Sequence, residues 1–351
     1  DEIYQKGEKE RNSAQMLKAY MWRMKTQDIL TPDSFYVGLR DLEQWAKQTK
    51  QPMDRAILHS LIAEFYANYA ADNQWQLRQR TEIVGETPSA DIREWTANMF
   101  VEKVRTNVKE ALADSLLLLK TSSRNYIPFV ELGETSEYYH HDMYHLLASR
   151  AIRALNQIER LERGSFNGIT ASPVKQDIIN IYERMTDAYE TAGLKEGYVL
   201  TMLQYLEWKR DNDNKLQPVQ LKKGLGEWTA DTYNAALDEL KRQFKSEPIC
   251  AEVYLAQVRY AVEKMQQVNA LQLCDEAIRL YPGYRRINAL KNLREEILAP
   301  FLNVSAVSQA FPNEEIKLNV GHKNLDGFTV RLYQAKKLVK EQHYSVLRPK
   351  D

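Results

Sequence analysis

The chain has 351 residues, of which 44% are hydrophobic, and it contains only 13 glycines and 11 prolines. So few turn-forming residues favour helices over a β-sandwich rich in tight turns. Its 48 basic and 48 acidic residues cancel, which excludes the basic surface typical of nucleic-acid binders and leaves protein or glycan as the expected partner. The longest apolar run, at residues 116–119, is far too short to span a bilayer.

Apolar residues recur at helical spacing along most of the chain, up to about residue 300. Thr31-Pro32 and Ser172-Pro173 are typical of helix starts, with a capping hydroxyl before a proline in the first turn. Gly193 and Gly197 predict a helix end and the turn after it. The clearest stripes are Leu58, Leu61, Ile62, Phe65 and Tyr69; Phe100, Val104, Val108 and Ala111; Tyr144, Ala148, Ala151, Leu155 and Ile158; and Ile178, Tyr182, Met185 and Tyr189.

Residues 251–282 predict two antiparallel helices joined by a turn at 266–269. Tyr254, Ala270, Ala277 and Pro282 stand at the positions that a tetratricopeptide repeat gives to an aromatic residue, two small residues and a terminating proline. The Leu-Gly pair of that repeat is missing. Because the four other positions match, we still expect a TPR-like solenoid of antiparallel helix pairs.

The two cysteines, Cys250 and Cys274, fall on these two predicted helices. Their different distances from the turn separate them by about 12–15 Å along the helix axes, beyond the roughly 7 Å Cα limit of a disulfide. We expect both to be buried thiols that pack as small hydrophobic residues.

The period changes after Pro300. Apolar and polar residues alternate at 316–320 and at 328–332, on either side of a turn at 324–327. This pattern predicts a β-hairpin, and residues 344–346 are expected to begin a third strand. Because two or three strands alone are marginally stable, we expect a helical array at residues 1–302 and the start of an incomplete β-sandwich at residues 303–351.

Glu137, His141 and His145 form the best candidate metal site, since i, i+4, i+8 spacing would place them on one helix face. His141 to His145 also resembles the zincin motif, but Asp142 replaces the glutamate that acts there as general base. The alternative is that His145 flanks the apolar stripe while the other two side chains face solvent. We favour this alternative and assign no metal ligand, catalytic residue or cofactor site.

Catalytic signatures are absent from the sequence. Gly224-Leu225-Gly226 lacks the preceding strand and third glycine of a phosphate-binding loop, and no nucleophile elbow or Walker loop occurs. We therefore expect a protein that is not an enzyme and needs no cofactor. The 20 tyrosines and 6 tryptophans fit either the core stripes or an aromatic binding surface. The candidates for such a surface are Tyr138, Tyr139, Tyr144, Trp75 and Trp95.

Four stretches resemble the N-terminal region of bacterial alpha-2-macroglobulin-like proteins of the Bacteroides type. They are MLKAY at 16–20, NQWQLR at 73–78, DIREW at 91–95 and DMYHLLASRA at 142–151. PNEEIKL at 312–318 and GFTVRLY at 327–333 are similar to the start of the first macroglobulin β-sandwich domain. The resemblance spans nearly the whole chain in the expected order.

The resemblance implies a non-catalytic N-terminal helical scaffold or interaction module of a cell-envelope protein, located in the periplasm or at the outer membrane. The complete family protein traps proteases with a cleavable bait region and, in many members, a thioester. Neither Cys250 nor Cys274 has the Cys-Gly-Glu-Gln context of that thioester. The implied partners are protein: further β-domains expected beyond Asp351, proteases or envelope proteins. The family's helix at 141–158 is structural, which weakens the metal hypothesis.

Two other interpretations stay open at this point. The first is a TPR-like glycan- or peptide-binding envelope lipoprotein. The second is a metallohydrolase built on His141 and His145.

Overall fold

A computed structural model describes residues 2–31, 35–81, 89–131, 141–162, 172–212, 233–306, 317–334 and 336–346. Over these residues the chain is mainly helical, with two antiparallel sheets of two strands each. The predicted mainly α class is therefore confirmed. The chain divides into two compact units, unit 1 (Asp1–Val253) and unit 2 (Tyr254–Asp351).

Fourteen α-helices lie within the described residues. They are α1 (Glu2–Lys9), α2 (Ser13–Leu30), α3 (Phe35–Gln48), α4 (Pro52–Asp72), α5 (Gln74–Gln79), α6 (Ala97–Ala111), α7 (Ser115–Lys120), α8 (Met143–Glu159), α9 (Pro173–Thr191), α10 (Lys195–Asn212), α11 (Tyr233–Gln243), α12 (Cys250–Glu263), α13 (Gln267–Leu280) and α14 (Ile287–Leu298). Short 3-10 turns cover Ile92–Glu94 and Ser123–Tyr126.

Helix α4 is the centre of unit 1 and packs against α3, α6 and α8. In its predicted stripe Leu58, Leu61 and Ile62 are buried, while Phe65 and Tyr69 are half-buried. Alanines at 63 and 67 are buried as well. Alanines on the sides of a helix let neighbouring helices approach closely. From α8 onward each helix packs on the next, through α9 and α10 to α11.

The predicted caps are confirmed at one helix and wrong at another. Ser172 caps α9, because its hydroxyl accepts a hydrogen bond of 3.1 Å from the Lys175 amide and Pro173 occupies the first turn. Thr31 instead ends α2 as its C-cap, and Pro32 lies outside the described residues. Gly193 follows α9 with φ of +67°, a left-handed conformation that suits glycine because it has no Cβ. The predicted helix end is therefore confirmed.

Gly197 was expected in a turn, but it lies in the first turns of α10. A Cβ built on Gly197 would stand 2.5 Å from the ring of Tyr189. The glycine therefore serves close packing of α9 against α10 rather than chain reversal. Local sequence favours a turn at glycine, and here the packing of two helices overrides that preference.

The predicted β-hairpin pairs the wrong strands. Strand β2 (Leu318–Lys323) lies antiparallel to β1 (Phe301–Ala306), while β3 (Gly327–Gln334) lies antiparallel to β4 (Lys337–Ser345). The turn after β2 thus leads from one sheet to the other instead of closing a hairpin between β2 and β3. The strand expected to begin at residues 344–346 is misplaced, since β4 begins at Lys337 and ends at Ser345.

Unit 2 joins its strands to the end of its last helix. Lys323 Nζ donates to the Glu296 carbonyl at 2.8 Å, and Asn324 Nδ2 donates to the Ile297 carbonyl at 2.7 Å. Both bonds satisfy carbonyls in the last turn of α14, which have no partner within the helix. The start of the β region is therefore anchored on a helix end.

The two helices predicted at 251–282 exist as α12 and α13, and the rings of Tyr254 and Tyr281 lie 6.0 Å apart. Ala270 and Ala277 are fully buried on α13. Cys250 and Cys274 are buried thiols, as expected. Burial raises the pKa of the Cys274 thiol to about 11, which keeps it protonated and unreactive near neutral pH.

Gly197→Ala tests the close approach of α9 and α10. We expect it to lower the free energy of unfolding by about 1–3 kcal/mol, because the new methyl group overlaps the Tyr189 ring and overpacks the helix interface. Urea unfolding followed by helical circular dichroism measures the change. Gly283→Ala is the matched control, since a Cβ there meets nothing within 4 Å; equal effects of the two substitutions would contradict the packing role.

Candidate functional site

A cavity of about 390 Å³ opens between α2, α4, α8 and the segment that ends at Glu131. We call it the groove. Its apolar lining includes Ile57, Leu61, Met143 and Leu147, and its charged lining includes Lys18, Glu64, Glu131 and Arg150. The volume lies at the small end of the range for ligand sites, and an apolar floor with charged groups suits a protein or peptide side chain.

A buried carboxylate joins three of the walls of the groove. Asp54, in the first turn of α4, accepts a hydrogen bond of 2.5 Å from the Ser13 hydroxyl of α2 and one of 3.0 Å from the Tyr126 hydroxyl. The positive end of the α4 dipole also favours a negative charge at this position. Burial and the charge of Asp54 raise the pKa of Tyr126, so this hydroxyl remains a donor across the ordinary pH range.

The fourth wall, α8, begins at a second buried carboxylate. Asp142 caps the helix by accepting a hydrogen bond of 2.6 Å from the His145 amide, and its other oxygen accepts one of 2.8 Å from the Tyr189 hydroxyl. Burial, followed by the charge of Asp142, raises the pKa of Tyr189. The Met143 amide donates to the Thr121 carbonyl at 2.8 Å, so the start of α8 is held between the preceding segment and α9.

One ion pair crosses the groove between α8 and α4. The Arg150 guanidinium pairs with Glu64, and its Nε donates to the Ser60 hydroxyl at 3.2 Å. Both charged side chains are about a quarter exposed. Burial lowers the pKa of Arg150, Glu64 opposes that shift, and the nearby charge of Arg153 adds to it; an arginine remains charged under such conditions.

The rim of the groove is exposed. Lys18 Nζ lies 3.2 Å from Glu131. This pair spans the opening between α2 and the segment that follows the 3-10 turn at Ser123–Tyr126. Trp22 lines the groove with 60% of its surface accessible. A large aromatic ring beside exchangeable surface ion pairs is typical of residues that anchor a binding partner.

The predicted helix face of Glu137, His141 and His145 is wrong. Helix α8 begins at Met143, so His141 precedes the helix, and Glu137 lies outside the described residues. His141 Nε2 lies 3.2 Å from an Arg124 guanidinium nitrogen, while His145 is buried on α8. Among the residues that the structure describes, no three His, Cys, Asp or Glu side chains form a group able to hold a metal ion.

The aromatic candidates divide between core and surface. Trp95 and Tyr144 are buried, and Trp95 stacks on Tyr66 with ring centroids 5.2 Å apart. Trp75 is 73% exposed on α5. Tyr138, Tyr139 and the Gly224-Leu225-Gly226 loop lie outside the described residues.

Sequence reasoning missed the groove itself. Glu64 and Arg150 are 86 positions apart, and no local pattern announces that they pair. Asp142 did carry a signal, because an aspartate before an apolar helical stripe is a favoured N-cap. That signal would have placed the helix start after His141.

Comparison with protein-family models, curated proteins and solved structures finds no match to this chain. The site is therefore interpreted from its own geometry. None of the described helices combines the length and apolar character needed to cross a membrane.

Glu64→Gln tests the ion pair of the groove. We expect it to lower the free energy of unfolding by about 1–3 kcal/mol, because Arg150 then keeps its desolvated charge with Arg153 nearby and no neutralising carboxylate; partial exposure holds the cost below that of a fully buried pair. Thermal or urea unfolding provides the measurement.

Glu10→Gln is the matched control, because Glu10 pairs with Lys6 at 3.9 Å with both side chains more than half exposed. We expect it to change stability by less than about 0.5 kcal/mol. If Glu64→Gln costs no more than this control, the pair does not stabilise the groove.

Proposed function

We propose that the chain is a non-catalytic helical scaffold of a cell-envelope protease-trapping protein of the alpha-2-macroglobulin type. In this proposal its helices form a TPR-like array that docks to other proteins, and its strands join a β-sandwich. The protein then acts outside the cytoplasm, in the periplasm or at the outer membrane. The sequence resemblance supports this proposal, and one structural observation carries it: most of the large apolar residues of the strands are exposed.

Nine large apolar side chains of the described strands are at least 42% exposed. They are Phe301, Leu302, Val304, Leu318, Leu332, Tyr333, Leu338, Val339 and Tyr344. Burying such a side chain is worth about 1.5–3 kcal/mol, and a two-stranded sheet cannot bury its own. A further sheet or further strands would remove this surface from water, which is what a β-sandwich provides.

The strand edges point to the same kind of partner. Within the described residues each of the four strands pairs along one edge, β1 with β2 and β3 with β4. An unpaired edge offers a row of amide and carbonyl groups that another strand can complete. Exposed apolar faces together with open edges therefore favour a β-structured protein segment as the partner of this region.

The groove supplies a separate docking point on the helices. Trp22 and the Lys18–Glu131 pair stand at its rim, and the apolar side chains of α4 and α8 form its floor. A partner side chain that enters it would displace water from apolar surface and exchange one surface ion pair for another. In the proposed trap this groove holds the helical module to an envelope protein.

The groove also favours a second candidate function, that of a glycan- or peptide-binding envelope lipoprotein. Here Trp22 would stack on a sugar or anchor a peptide side chain. The two candidates differ in the role of the strands, because a lipoprotein of this kind does not need a β-sandwich built on residues 301–345.

Limited digestion with trypsin tests the exposed strands. We expect the first cuts in this chain at Arg331, Lys337 or Lys340, because these exposed residues lie on two-stranded sheets with open edges. Mass spectrometry locates the cuts. In a longer natural chain that contains β-sandwich domains, the same three sites should resist trypsin. Earlier cleavage within α4, α6 or α8 would contradict the proposal.

A protease assay and the coding sequence test the family assignment. The isolated chain should leave the rate of a model protease on a protein substrate unchanged, because the proposal places the bait and trapping parts in other domains. The natural coding sequence should join this chain to β-sandwich domains. Inhibition by the isolated chain, or a coding sequence without such domains, would refute the proposed function.

A further inference from the structure

A second cavity, of about 530 Å³, lies along the C-terminal half of α8. We call it the basic cavity. Residues of α8 at successive turns line it, and Ala71 at the end of α4 and Gln74 at the start of α5 complete it. The residues from α8 and its C-cap are Ser149, Ile152, Arg153, Asn156, Gln157 and Arg160. Their spacing places them on one helix face.

The basic cavity carries positive charge without a compensating carboxylate. Arg153 and Arg160 both line it, and no described residue of its lining is acidic. Neither guanidinium forms an ion pair within the described part of the chain, whereas Arg150 on the same helix is paired with Glu64. Both arginines are exposed, so they can contact a ligand without local unfolding of the helix.

The neighbouring carboxylates are engaged elsewhere. Glu159 pairs with Lys175 at 3.3 Å, and Glu162 accepts hydrogen bonds from the Ser172 hydroxyl and from the Val174 amide. These contacts hold the start of α9. An anion that enters the basic cavity would therefore meet two guanidinium groups, each able to bind a carboxylate or phosphate through two hydrogen bonds.

Two oriented amide side chains lie beside these cations, and one of them leaves a donor for a ligand. Gln157 Nε2 donates to Asn68 Oδ1 at 2.9 Å, which orients the amide, and Gln157 Oε1 is buried and accepts no hydrogen bond from the residues that the structure describes. Asn156 Oδ1 accepts from Trp208 Nε1 at 3.2 Å, which leaves its Nδ2 as a donor. A hydroxyl or anionic oxygen of the ligand can accept a hydrogen bond from Asn156 Nδ2.

We propose that the basic cavity binds an acidic sugar, with its carboxylate or phosphate on Arg153 and Arg160 and a hydroxyl group accepting from Asn156 Nδ2. The two arginines are seven positions apart on α8, about 10 Å along the axis, and their long side chains can converge on a ligand of monosaccharide size. The volume suits such a ligand. This site is independent of the proposed protein docking, because it uses neither the groove nor the strands.

Titration calorimetry or ligand-observed NMR on the intact chain tests the site with three probes. Glucuronate and glucose 6-phosphate carry the two candidate anions, and glucose is the neutral control. We expect saturable binding of at least one anionic sugar and none of glucose at the same concentration. The better anionic ligand identifies carboxylate or phosphate as the preferred group. Added sodium chloride should weaken that binding, because it screens the exposed guanidinium groups.

Arg153→Gln and Arg160→Gln should each weaken the anionic sugar at least tenfold, while circular dichroism and the melting temperature stay those of the unaltered chain. Arg279→Gln is the matched control, since Arg279 is an exposed arginine of α13 that does not line the cavity. Equal binding of glucose, binding insensitive to salt, or no saturable binding of either anionic sugar would overturn the proposal. Unchanged affinity in both variants would overturn it as well.

Discussion

Burial of α4 on several sides is the constraint on which unit 1 depends. The helix packs against α3, α6 and α8, so its apolar residues cannot keep to a single stripe. Leu58 and Ile62 fill space between neighbours, whereas Ala63, Ala67 and Ala70 allow the neighbouring backbones to approach. A larger residue at an alanine, or a smaller one at a leucine, would disturb several helix contacts at once.

Two carboxylates convert this packing into a shaped surface. Asp54 and Asp142 both lie at the start of a helix, where backbone amides and the helix dipole favour negative charge. Each also accepts a tyrosine hydroxyl from another element, Tyr126 and Tyr189 respectively. Because a buried carboxylate without donors would be costly, these contacts fix α2, α8 and α9 around α4, and the groove is the gap that remains.

The sequence predicted what depends on nearby residues. Helical stripes identified the core faces of α4, α6, α8 and α9, and Ser172 marked the start of α9, because spacing and capping act within a few positions. The predicted strand pairing was wrong, because the alternation around Leu318 indicates a strand but does not identify β1 as its partner. The prediction of a turn at Gly197 was wrong for a related reason, because the role of this glycine depends on the ring of Tyr189 across the interface between α9 and α10.

The candidate site was less predictable than the fold. The pairing of Glu64 with Arg150 and the position of His141 outside α8 depend on tertiary contacts or on recognising Asp142 as a cap. The zincin-like stretch lies at the start of α8, but its side chains form no metal-binding group within the described residues. The arginines of α8 differ in their surroundings. Sequence alone does not show these surroundings, because they depend on which neighbour each face of the helix contacts.

The arginines of α8 show how one helix can combine structural and binding roles. Arg150 lies where α4 supplies a carboxylate, because a charge at that depth would otherwise be costly to desolvate. Arg153 and Arg160 lie where water reaches them, so the fold tolerates them without a partner. An unpaired exposed cation contributes little to folding. The pKa of Arg150 is lowered mainly by burial, and the charge of Arg153 lowers it further. A charge that folding does not require remains available to a ligand, and the Asn156 amide, held by Trp208, offers that ligand a donor in a fixed position.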